Sequence, residues 1–120
     1  MSLRQRLQSA APPETIITVL GERFSVRGLS RSRRSDVFAA CRDADGKSDF
    51  KRLEGVMLSA CVRDPSDGSE IYSEDEWQQW DQLPAGITGP LVAEIMRLNG
   101  MDEDDVGREV KNFGTTGNSA

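Results

Sequence analysis

Four sets of side chains in this 120-residue chain have types and spacings that could do chemistry: two cysteines, a run of arginines, clusters of carboxylates and three large aromatics. Cys41 and Cys61 stand twenty residues apart among apolar neighbours, with no C-x-x-C and no histidine anywhere in the chain. Neither a zinc set nor a Cys–His nucleophile pair can be assembled, so both read as buried free thiols. The carboxylates gather at turns and helix starts, where capping and the helix dipole account for them. Asp43-Ala44-Asp45-Gly46 fails as a calcium loop, since Gly46 at its sixth position would put Cys41 first and Arg52 twelfth. Gly68 aligned the same way puts Arg63 first and Pro65 third. Walker, G-x-G-x-x-G and G-x-S-x-G motifs are absent. The chain is therefore expected not to be an enzyme, with no cofactor and no metal.

What remains is binding. Arg31, Arg33 and Arg34 follow Ser30, a good N-cap, and so crowd the positive end of a helix dipole where acids would be more stable. Two readings stay open: the cluster binds something anionic, or it pairs with acids of the same molecule. Arg23 and Arg27 could extend it into a nucleic-acid patch, although only Phe24 is interleaved as a stacking aromatic. Residues 1–60 hold 11 Lys and Arg against 7 Asp and Glu, and residues 61–120 hold 4 against 13. That polarity suggests copies meeting head to tail. Tyr72, Trp77 and Trp80 surround a second helix start. Both tryptophans could belong to the core, with Trp77, stapled to Tyr72, the more buried; in the contact reading Trp80, between Gln79 and Asp81, is expected with Phe113 to be the exposed apolar contact.

The elements that position these groups are legible in outline. Residues 1–13, ending Ala10-Ala11-Pro12-Pro13, show no period and read as a flexible arm. Thr15–Leu20 is rich in β-branched residues and Arg23–Arg27 alternates polar and apolar, which predicts a hairpin with Gly21-Glu22 as its turn. A helix follows from Ser30 to about Arg42, carrying Val37, Phe38 and Cys41 on one face. Another, capped by Ser48 or Asp49 and running to about Val62, carries the broad stripe Phe50, Leu53, Val56, Met57, Ala60 and Cys61 and is the expected central core helix. Asp64-Pro65 sets a turn that Gly68 exits, and Ser73 opens a capping box with Glu76 for a helix to about Leu83. Thr88-Gly89-Pro90 reads as the next start, with Ile87, Leu91, Ile95 and Leu98 as its core face and Asn99-Gly100 as its end. Asp102 caps a last short helix bearing Val106, Val110 and Phe113, and residues 114–120 read as a disordered tail. The expected fold is α+β, mainly α: one globular domain over residues 14–113, an N-terminal β-hairpin followed by four to five helices. No stretch approaches the roughly 18 apolar residues of a membrane span, and a soluble cytoplasmic protein is expected.

This order of weak motifs resembles a known family. The hairpin ending Val26-Arg27-Gly28-Leu29, the segment Val62-Arg63-Asp64-Pro65-Ser66-Asp67-Gly68 with Ile71-Tyr72 and an acidic helix start, Leu83-Pro84, the helix end Arg97-Leu98-Asn99-Gly100-Met101 and Lys111-Asn112-Phe113 are similar to the tail assembly chaperones of long-tailed bacteriophages and prophages. The resemblance covers residues 14 to 113 and implies a small protein of the host bacterial cytoplasm, absent from the mature virion. Such a protein binds the aggregation-prone tape measure protein and helps recruit tail tube subunits. Many members are also made in a longer form by ribosomal frameshifting near the C-terminus. The family has no catalytic residues and no partner motif that transfers to this chain.

Overall fold

The computed structural model describes residues 1–101. It is an α+β fold, mainly helical, with the hairpin at the N-terminus and helices after it. Helix α1 (Leu3–Gln8) lies in the arm, closed by a capping box between Ser2 and Gln5, and buries no residue.

Strands β1 (Glu14–Val19) and β2 (Glu22–Arg27) pair antiparallel with Val19 opposite Glu22. The turn is Leu20-Gly21, one residue earlier than expected. Both residues have positive φ, 49° and 82°, the signature of a type I′ turn, whose twist matches that of the strands. The expected Gly21-Glu22 turn would have kept the same residues on each face, so hydrophobic alternation could not choose between the two. A two-residue strand, β3 (Val62–Arg63), adds to the other edge of β2, giving the order β1-β2-β3. Sequence reasoning did not anticipate it.

Helix α2 (Arg31–Ala40) is capped by Ser30, whose hydroxyl accepts the Arg33 N–H at 3.1 Å. Helix α3 (Phe50–Cys61) is capped by Asp49 and is the central helix, with Gly55 through Cys61 all buried. Its first residue corrects the stripe: Phe50 is 72% exposed. At the next turn the Asp64 carboxylate accepts the Ser66 N–H, and Gly68 takes a φ of 74°.

The helix after Ser73 is a 3-10 helix, Glu74–Gln82, with its capping box present and Glu76 Oε1 accepting the Ser73 N–H at 3.1 Å. Helix α4 (Ala85–Leu98) starts just after Pro84, so Pro90 lies inside it and not in its first turn. The proline is tolerated because the carbonyl its ring crowds, four residues back, belongs to the exposed Gly86. Leu91 and Ile95 are buried, Ile87 and Leu98 pack beside them, and Gly100 ends the helix at a φ of 64°.

The core joins Val26 and Val62 of the sheet to Val37, Cys41, Val56, Leu58, Cys61, Trp80, Leu91 and Ile95. Asn99 ties the hairpin exit to the end of α4: its side-chain oxygen accepts the Leu29 N–H at 2.7 Å and its amide donates to the Ile95 carbonyl at 2.8 Å.

Candidate interaction surface

The aromatic trio is structural. In a 3-10 helix, residues three apart eclipse, so Trp77 and Trp80 both turn toward α3. Gly55 makes room for the Trp77 ring: a Cβ there would lie 2.7 Å from its Cε3. Trp80 is 2% exposed, donates its indole N–H to the Ser59 hydroxyl at 2.9 Å, and takes Tyr72 edge-on, ring centroids 4.9 Å apart at 88°. Ser59 in turn donates to the Ser73 carbonyl at 3.0 Å. The expectation that Trp80 is an exposed contact is thus overturned, and the aromatic that meets Tyr72 is Trp80, not Trp77. Gln79 and Asp81 beside it are exposed, but they sit on other faces of a three-fold helix. Phe113 lies outside the described residues, as does the helix expected from Asp102.

The arginines divide. Arg33 forms an ion pair with Glu74, across the gap between α2 and the 3-10 helix. Arg34 donates to the Asn99 carbonyl at 3.2 Å. Arg31 is exposed. Arg33 also lines a cleft of about 330 Å³ with Arg27, Arg63, Glu70 and Glu74. Within it Arg63 sits 3.7 Å from Glu70, while its buried Nε has no hydrogen-bond partner among the described residues. With Lys51 also 3.6 Å from Asp81, basic residues of the first half meet acids of the second within one molecule. That is the intramolecular reading of the arginine cluster.

A different surface gathers apolar side chains. Phe38 of α2, Phe50, Leu53 and Met57 of α3, Val92, Ile95 and Met96 of α4, and Met101 line a groove of about 190 Å³, with Glu54 at its edge. Met57 and Ile95 form its buried floor; Phe38, Leu53, Val92, Met96 and Met101 are half-buried walls; Phe50 stands out at the rim. Phe50 and Glu54 also border a second cleft, beside Trp80 and Leu83. Three of the chain's four methionines lie in the groove. Of the residues singled out for partner binding, the six described ones (Arg31, Arg33, Arg34, Tyr72, Trp77 and Trp80) do not line it. The available signal was the width of the α3 stripe, which has more apolar positions than one buried face needs.

The cysteines are free and buried. Burial pushes the Cys61 thiol up to about 11 and raises that of Cys41 as well, so both are held as thiols. Among the described residues, no group of three or more His, Cys, Asp or Glu could hold a metal ion, and no helix is long and apolar enough to cross a membrane. No family model matches the chain, nor does a curated protein or a solved structure.

Proposed function

We propose that this chain is a non-enzymatic tail assembly chaperone of a long-tailed phage or prophage. It works in the host bacterial cytoplasm, outside the mature virion, keeping the tape measure protein soluble and helping to bring tail tube subunits to it. Beside the family resemblance, the observation that carries this reading is the groove of Phe38, Phe50, Leu53, Met57, Val92, Met96 and Met101. An open apolar groove between helices suits the apolar face of an amphipathic client helix, whose anchors recur every three or four residues. Methionines suit a client with many related but unequal segments, because their unbranched, polarizable side chains repack around different shapes. A longer frameshifted form would present the same groove and add a second attachment for tube subunits. The alternative, a nucleic-acid-binding regulator using Arg23 to Arg34, is weakened by the engagement of Arg33 with Glu74 and of Arg34 with Asn99.

Methyl NMR tests the reading directly. Titration with amphipathic helical peptides from a tape measure protein is expected to move the Met57, Met96 and Met101 methyl resonances and leave Met1 unchanged. A short DNA duplex is expected to move none of them. Shifts at arginine resonances with DNA, and none at the methionines with peptide, would favour the alternative.

A further inference from the structure

Strand β1 is the terminal strand of its sheet, and among the described residues no strand pairs with its outer edge. The phase of its hydrogen bonding follows from one contact: Gly28 N–H donates to the Pro13 carbonyl at 2.8 Å, so the pair 13–28 is bonded, and by alternation so are 15–26, 17–24 and 19–22. Glu14, Ile16 and Thr18 therefore turn their N–H and C=O groups outward. Among the described residues no backbone bond from outside the sheet reaches Glu14–Val19. Natural edges are usually blunted by lysine, proline or a bulge, yet within Glu14–Val19 the single charge is Glu14 at its start, there is no proline, and Ile16 is 51% exposed.

We propose that this edge is a homodimer interface, in which β1 pairs antiparallel with β1 of a second copy across a two-fold axis at Ile16. The register selects itself. Centring on Ile16 puts Glu14 opposite Thr18 of the other copy and Ile16 opposite its equivalent, and uses the whole run from Glu14 to Thr18. Centring on Glu14 would oppose like charges, and centring on Thr18 would run into Leu20, which has left the strand with its φ of 49°. Pro12 and the Leu20-Gly21 turn bound the paired stretch at its two ends. The far edge of each sheet is the two-residue β3, too short to continue the pairing, so the assembly closes at two copies. A client helix cannot use this site, because edge addition requires an extended chain. The inference is independent of the groove and of the chaperone reading. It also replaces a head-to-tail arrangement driven by charge, since Arg33 and Lys51 already meet acids within one molecule.

Cysteine cross-linking of the full chain tests both the interface and its register. The native thiols are buried and do not compete. Ile16→Cys is expected to oxidise to a disulfide-linked dimer, while Thr18→Cys, whose counterpart lies far along the strand, stays monomeric on a denaturing gel. In sedimentation equilibrium the unmodified chain is expected at the mass of two copies. Ile16→Lys, which sets two like charges on the axis from an exposed position, is expected at half that mass with an unchanged circular dichroism spectrum. A monomeric unmodified chain, an Ile16→Lys chain that still dimerises, or cross-linking of Thr18→Cys as efficient as that of Ile16→Cys would overturn the proposal.

Discussion

Single residues in this chain carry opposite lessons about what side-chain type can tell. Trp80 has polar neighbours in sequence and is 2% exposed; Phe50 opens a core stripe and is 72% exposed. Trp80→Ala is expected to cost about 3–5 kcal/mol, a drop of roughly 10–25 °C in melting temperature, because it empties a buried aromatic site. Ser59→Ala should cost about 1–3 kcal/mol in denaturant unfolding by leaving the indole N–H unpaired. Leu20 is a residue where a gain is expected. It is 74% exposed and held at a φ of 49°, a conformation that costs a branched side chain about 1–2 kcal/mol. Leu20→Asn, which gives the Asn-Gly pair that type I′ turns prefer, should therefore raise the melting temperature. Cys61 adds a pH dependence. Its folded thiol, raised to about 11 from an ordinary value of 9.0, stabilises the fold below pH 9, and that stability is lost as the pH climbs toward 11. Unfolding free energy should therefore fall across that window, and a Cys61→Ala chain should lose this part of the slope.

At the scale of elements, the sequence was most informative where a local signal had one physical solution. Ser30, Asp49 and the Ser73–Glu76 box each start a helix, because an exposed helix N-terminus needs an acceptor and these residues supply one. Asn99-Gly100 ends α4 for an equally local reason. Signals with two solutions misled. Thr88-Gly89-Pro90 satisfies the rules for a helix start, but Ala85–Thr88 is already helical, and packing of Leu91 and Ile95 pays for a proline inside the helix. Two tryptophans three apart share a face in either helix type, and only the 3-10 geometry against Gly55 and Ser59 says which one lies deeper. Strand β3 is two residues long, too short for any periodicity. Arg31 offers a test at this scale. It is exposed at the positive end of α2, so Arg31→Glu should stabilise the protein by about 0.3–1 kcal/mol, an increment that fades with added salt.

At the scale of the described residues, α2, α3 and α4 leave an apolar groove between them that none of the three fills. That arrangement was the least legible part of the sequence. Each helical lining residue fits a core pattern on its own helix, and only the way the helices come together in space leaves a groove between them among the described residues. In the proposed function, this groove holds the client. Co-expression with the tape measure protein of the same phage or prophage measures it most directly, through the soluble fraction of the client, with Phe50→Asp as the decisive variant. Because Phe50 is so exposed, the substitution should shift stability by no more than about 0.5 kcal/mol. A soluble client is expected with the unmodified chain, and an aggregated one with Phe50→Asp at an unchanged melting temperature. A client kept equally soluble by Phe50→Asp, or soluble without the chain at all, would contradict it.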